Sequence, residues 1–279
     1  MAGPSGYAAQ RVTFATMHHK ERLAREPFHR ILGAEVTAPL GLDTDQFGTF
    51  SGEVPRTLTP LDAARVKARL GMQMDGTTLG LASEGSFTAG FGIALEHTEL
   101  LLFIDDERNL ELVESVVGPS PVPPGRAITS VAEAHLFAQV SGFPRQGLMV
   151  LSVDSGGVTV HKNLETVEAL IETVRALLAT SPSVTLEPDH RAHAAPARAT
   201  VIHALAERLA QRLATDCPRC GTPGFGRIDV EPGLRCQACG TPTHIVAADL
   251  HGCGGCRFTE RAPREQCRAG PRWCDRCNP

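Results

Sequence analysis

Four C-x-x-C pairs lie between positions 217 and 277, and they constrain the fold of this chain more than any other feature. The pairs are Cys217/Cys220, Cys236/Cys239, Cys253/Cys256 and Cys274/Cys277; a ninth cysteine, Cys267, has no such mate. Two thiolates on a C-x-x-C turn converge on one metal, and two such turns complete a tetrahedral S4 site for zinc. The pattern therefore predicts two structural zinc ions held by eight thiolates. Gaps of 15, 13 and 17 residues between successive pairs leave room for the β-hairpins of zinc ribbons. Sequential pairing, first with second and third with fourth, is the simplest arrangement, and a crossed one is the alternative. Disulfides would need an oxidising compartment, and the start MAGPSGYAAQRVTF lacks the basic and apolar stretches of a signal peptide. A thioredoxin-like dithiol would be one C-x-x-C at a strand–helix junction, not four in tandem.

The 279 residues have room for one large domain besides the cysteine-rich one. The expected division is an α/β domain over 1–214 and a double zinc-ribbon domain over 215–279. No apolar run approaches the roughly 20 residues that a membrane-spanning helix needs, so a soluble, cytoplasmic protein without a membrane partner is expected. Charge disfavours nucleic acid as a partner. From Thr215 onward nine arginines face seven acids, but eight thiolates with two Zn²⁺ contribute four negative charges, turning that excess of two into a deficit of two. A grip on a phosphate backbone needs a true positive excess. The chain has 24 arginines and only three lysines, Lys20, Lys67 and Lys162. Where basic positions drift to Arg, chance survival is the default for any one Lys, and a use for its compact ammonium is the alternative.

Alternating strand-like and helix-like segments over the first 190 residues predict an α/β fold with a mixed sheet flanked by helices. Strands are expected at 11–16, 34–40, 78–83, 99–105, 110–116 and 147–153. Thr59 with Pro60 opens a helix, and Ser130 with Glu133 forms a capping box for another, ending near Gly142. A third helix is expected after a cap at Asn163, and a fourth carries Val201, Leu205, Leu209 and Leu213 into the zinc module.

Polar residues concentrate where such a sheet presents its strand ends. Thr16-Met-His-His-Lys20 follows the first strand, a junction suited to an anion such as phosphate. Asp43 to Arg56, with Asp45, Glu53 and Arg56, precedes the helix bearing Lys67; carboxylates beside basic residues are the parts of a Mg²⁺–phosphate site. Glu84 ends an apolar strand within SEGS. A fourth cluster, Glu187-Pro-Asp189-His190-Arg191-Ala-His193, could hold a metal, although a role in caps and salt bridges is favoured.

The stretches ATMHHKE, LDTDQFGTFSGEVPR, GLASEGSF, EPDHRAHAAPAR and the ending CPRCGTPGF, GLRCQACGTPT and CDRCNP together resemble an uncharacterised bacterial family, the domain of unknown function (DUF) 6671. The order of strand, polar loop with Lys, A-x-x-x-K-A helix and acidic Gly motif is also distantly similar to the inosine/xanthosine triphosphate pyrophosphatase superfamily. That resemblance implies phosphate-binding roles for Lys20 and Lys67, a metal- or water-positioning role for Glu53, and the acidic Gly motif at Glu84. The chain departs from it at His18, in a shorter loop, in SEGS for Asp-Ser-Gly, and in the fused zinc module.

Two functions are expected to compete. One is Mg²⁺-dependent hydrolysis of a nucleotide-like phosphate or pyrophosphate, with Glu53, Glu84 and Lys67 catalytic and Lys20, Arg56 and Asp45 holding phosphate and metal. The alternative is a binding module for a small anionic ligand, with a protein partner reached through the zinc ribbons.

Overall fold

The computed structural model describes residues 6–49, 53–89, 95–154 and 157–279. Phe50, Ser51 and Gly52 of the Asp43–Arg56 segment lie outside these residues. An α/β body carries a five-stranded mixed sheet flanked by helices. Strand β1 (Arg11–Phe14), helix α1 (Glu21–Leu32) and strand β2 (Glu35–Thr37) form the first crossover, and β1 and β2 pair in parallel. Helix α2 (Pro60–Asp75) returns the chain to the other side of β1, where strand β3 (Leu79–Ala89) pairs in parallel. Strands β4 (Leu95–Asp105) and β5 (Leu110–Pro119) extend the sheet as antiparallel hairpins. The order is β2-β1-β3-β4-β5. The chain thus leaves β1 in one direction and comes back in the other, which parts the loops at the carboxyl end of β1 and opens a crevice there.

Burial fixes which face each helix covers. Leu81, Leu101 and Phe103 join Phe14, Phe28, Leu205 and Leu209 in one core, beneath α1 and helix α5 (Pro196–Leu213). On the opposite face Ala82, Leu100, Leu102 and Ile104 pack on Ala64, Ala68 and Met72 of α2. Alternation along β3 and β4 therefore sends Ser83 and Glu99 toward α5, and Glu84 toward α2.

A second, wholly antiparallel sheet was not legible as separate. Strands β6 (Arg126–Ile128), β7 (Leu148–Asp154), β8 (Gly157–His161) and β9 (Val184–Pro188) run in the order β6-β9-β7-β8. Helices α3 (Val131–Ser141) and α4 (Val167–Leu178) cover one face of it. The caps at Thr59 and Ser130 form, each hydroxyl accepting from the N–H three residues on, at 3.2 Å. Glu133 Oε2, however, accepts from the Thr129 N–H at 2.8 Å and not from that of Ser130, so the capping box is incomplete. The cap at Asn163 does not form. Asn163 adopts φ 60° upstream of the helix, and Thr166 Oγ1 accepts from Ala169 N at 3.1 Å instead.

Strands β10 (Gly226–Pro232), β11 (Val246–Gly252) and β12 (Thr259–Pro263) form a three-stranded antiparallel sheet that shuttles between the cysteine turns. No helix among the described residues is long and apolar enough to cross a membrane.

Candidate functional sites

The eight paired cysteines form two groups, and the pairing is crossed. Cys217, Cys220, Cys253 and Cys256 make the first; Cys236, Cys239, Cys274 and Cys277 make the second, the Sγ atoms of each lying within 4.8 Å of one another. The simplest expectation, sequential pairing, is corrected. Each interpair strand carries the chain from one group to the other, so a turn meets the next but one. A tetrahedral site with Zn–S near 2.3 Å places its sulfurs about 3.8 Å apart. The separations Cys217–Cys256 (3.8 Å), Cys220–Cys253 (3.7 Å), Cys236–Cys277 (3.9 Å) and Cys239–Cys274 (3.5 Å) fit zinc and are far too long for disulfides. Two structural zinc ions suit these groups. Cys267 stands apart and exposed.

The first two turns share the sequence C-x-x-C-G-T-P, a repeat hidden by the more obvious cysteines. Gly221 and Gly240 take φ 72° and 73°, which lets the N–H of Cys217 and Cys236 reach Thr222 and Thr241 carbonyls. Thr222 Oγ1 lies 3.1 Å from Cys220 Sγ and Thr241 Oγ1 3.3 Å from Cys239 Sγ. These threonines push both thiols down to about 6, which favours the thiolate that zinc requires.

The crevice at the end of β1 holds the other concentration of charge. Lys20, Arg56, Lys67, Lys162, Arg191 and Arg198 line one cavity with the carboxylates of Asp45, Glu84 and Asp189. All three lysines of the chain line it. Lys20 stands at the N-terminal end of α1, Arg56 in the loop before α2 and Lys67 on α2. Lys162 follows β8, Asp189 follows β9, and Arg198 lies in the first turn of α5.

The ion pairs are specific. Glu84, 4% exposed, accepts from Lys67 Nζ at 2.5 Å and from Arg56 Nη2 at 3.0 Å. Arg56 also donates to the Gly85 carbonyl at 2.9 Å. Gly48, at φ 117°, lies against Arg56; a Cβ there would stand 2.6 Å from Arg56 Cγ. Behind the cavity, Glu99 is fully buried and takes a two-pronged contact from Arg198, Nε–Oε2 2.7 Å and Nη2–Oε1 3.0 Å. His97 Nε2 lies 3.1 Å from the same carboxylate. Burial alone would raise the pKa of Glu99, but Arg198 and His97 hold it down to about 2. Gly85 makes room for this pair, since a Cβ would meet Glu99 Oε2 at 2.4 Å and Arg198 Nη2 at 2.7 Å. The SEGS motif thus has two parts: Glu84 in the cavity and a missing side chain beside the buried pair.

The second sheet closes the other wall. Asp189 is buried, accepts from Arg191 Nε and Nη2, and is framed by Gln146, which donates to its carbonyl at 3.0 Å. His18 Nε2 stands 3.3 Å from Asp45 Oδ1, and its ring lies 5.3 Å from that of His193. His190 stacks on Phe87 with centroids 3.7 Å apart; burial and then Arg198 push it down to about 4. The Glu187–His193 cluster therefore supplies a cavity wall and a ring stack on Phe87, and forms no metal group among the described residues.

Lys20 differs from its neighbours. Its ammonium donates to the Ser83 carbonyl at 3.2 Å and has no carboxylate at ion-pair distance among the described residues. Burial, and then Arg198, push its pKa down to about 8, against the opposing pull of Glu99 and Glu84.

Of the residues singled out by sequence, Lys20, Asp45, Arg56, Lys67 and Glu84 border this cavity. Glu53 does not line it. Its half-exposed carboxylate pairs with Lys162, because the loop before α2 leans toward the second sheet. Lys162, outside every motif, belongs to the cavity after all. Arg198 and Glu99 were missed as site residues, and Arg191 had been noted only within the Glu187–His193 cluster. Glu99 had a faint signal, a lone acid opening the apolar run ELLLFID.

The zinc module docks on the body through the first cysteine group. Gly224 lies against Leu112 and Gly254 against Leu110, both members of the main core. Arg212 of α5 donates to the Gly224 carbonyl at 3.1 Å and to Glu114 at 3.0 Å.

Among curated proteins none matches the chain. The family model for a domain of unknown function, DUF6671, matches residues 67–279, from Lys67 on α2 through both cysteine groups. With most of its length matched, the chain belongs to the DUF6671 family.

Proposed function

We propose that the cavity is a binding site for a small phosphate-bearing anion. The observation that carries this reading is Lys20, a cation with no carboxylate at ion-pair distance among the described residues, in a cavity that five further cations border. A crowded charge is ordinarily paired, and an anion in the cavity would complete Lys20. Phosphate chemistry fits because guanidinium forks match its oxygens and ammonium groups meet them as compact charges.

The carboxylates of the site are already engaged: Glu84 by Lys67 and Arg56, Asp189 by Arg191, and Asp45 by His18. Anion binding is therefore independent of Mg²⁺. Inorganic phosphate or pyrophosphate at millimolar concentration should raise the melting temperature of the protein equally with and without EDTA, provided the chelator leaves the thiolate-bound zinc in place. At about 100 times the dissociation constant the stabilisation is about 3 kcal/mol, or several degrees for a chain of this size. No shift with any phosphate compound would refute the anion site, and a shift that needs Mg²⁺ would refute this form of it.

Hydrolysis of a phosphate ester or anhydride is a second reading, supported by Glu84 and Asp45 standing beside the same cations. In that reading Mg²⁺ arrives on the phosphate, since the only groups of three or more possible ligands among the described residues are the cysteines. Release of phosphate or pyrophosphate from a panel of nucleoside triphosphates, measured with and without Mg²⁺, tests it.

A further inference from the structure

Three amines line the cavity, and their surroundings divide them. Lys67 is bound to Glu84 at 2.5 Å, and Lys162 is paired with Glu53. Lys20 donates to a backbone carbonyl and has no carboxylate at ion-pair distance among the described residues; burial and then Arg198 disfavour its protonated form, against the opposing pull of Glu99 and Glu84. A lysine desolvated near another cation is the usual form of an amine activated as a nucleophile. Arg56, Arg191 and Arg198 line the same cavity, and guanidinium groups match phosphate oxygens.

We propose that Lys20 condenses with phosphorylated aldehydes, forming a reversible imine while the neighbouring guanidinium groups hold the phosphate. The inference rests on the anion-binding reading and extends it to a covalent step. The neutral Lys20 amine adds its lone pair to the carbonyl carbon, and the carbonyl oxygen takes up a proton to give a carbinolamine. Loss of that oxygen as water, with the second amine hydrogen, leaves the C=N bond. Amine and aldehyde give imine and water, and no oxidant or reductant is consumed. His18, beside Asp45, lines the same cavity.

The scarcity of lysine makes the test clean. The full-length zinc-loaded protein is incubated at pH 8 with pyridoxal 5′-phosphate and cyanoborohydride, which reduces any imine to a stable amine, and the labelled peptides are sequenced by mass spectrometry. Lys20 should label at least about tenfold faster than Lys67 or Lys162, since about half of it is neutral at this pH, against under about one per cent for an ordinary lysine. Pyridoxal, which lacks the phosphate, should label Lys20 at least about tenfold more slowly, and inorganic phosphate should protect it. Lys20→Arg, which keeps the charge, should abolish the fast label. Preferred labelling of Lys67 or Lys162, or equal labelling by pyridoxal, overturns the imine proposal. Thermal stabilisation by phosphate, read on the same preparation, separates the two claims. Stabilisation without Lys20 labelling refutes the imine and leaves the anion site standing; no stabilisation refutes both.

Discussion

Replacing Cys217 with Ser should remove one of two zinc ions and lower the melting temperature of the entire protein by about 10 °C or more. The reason is where the first cysteine group sits. Its turns bring Gly224 and Gly254 against Leu112 and Leu110, which are otherwise buried core residues of the body. A three-thiolate site unfolds its surroundings locally, and that loss uncovers the end of the main core. The second group lies at the far end of the seven-residue strands β10 and β11, roughly 20 Å away at the rise of a strand. Cys274→Ser should therefore also cost one zinc, yet leave the melting of the body within a few degrees of wild type. Cys267→Ser should keep both ions. Native mass spectrometry with differential scanning calorimetry reads all three variants, and equal destabilisation by Cys217→Ser and Cys274→Ser would contradict the docking role.

Breaking the Arg198–Glu99 pair should be the most damaging change in the cavity. Both side chains are buried, and Glu99 is fully so. Removing one partner strands the other as an uncompensated interior charge, at a cost of about 3–5 kcal/mol. Arg198→Met should thus lower the melting temperature by about 10 °C. The double variant Arg198→Met/Glu99→Met should recover most of that loss, since replacing a whole buried pair by apolar side chains is often nearly neutral. Gly85→Ala acts on the same pair by crowding, with its Cβ 2.4 Å from Glu99 Oε2. Chemical denaturation of the single and double variants measures these differences. Additive losses in the double variant would show that the pair does not act as a unit.

Much of this layout was legible in the chain because its signals are local. Thr59 and Ser130 cap helices through contacts spanning three residues, and both of these contacts form. The C-x-x-C turns are equally local, and each makes half a metal site. What the sequence did not carry is long-range partnership. The crossed pairing depends on strands β10 to β12 running between the groups, which no spacing encodes. Lys162 reaches the cavity only because a second sheet folds over the first, and its partner Glu53 is 109 residues away. The pair Arg198–Glu99 spans 99 residues, with one member in a helix and the other in an apolar strand. Asn163 was misread as a cap for a different reason. Asn tolerates the left-handed backbone that it adopts here, so the same side chain that suits a cap also suits the turn before one.

Proton linkage tests directly whether Lys20 is a charge awaiting an anion. Its folded pKa is lowered to about 8 from 10.5. Between those values the unfolded chain binds more protons than the folded one, so the contribution of Lys20 to stability rises with pH across this window. Below pH 8 the anion-free protein carries the full penalty, up to about 3 kcal/mol. A bound phosphate restores the ammonium and should draw a proton from solution. Calorimetry of inorganic phosphate binding at pH 8, in two buffers of different ionisation enthalpy, should show an uptake of about half a proton more for wild type than for Lys20→Met. The variant should also bind phosphate at least about tenfold more weakly. Identical proton uptake and affinity in the two proteins would contradict the account.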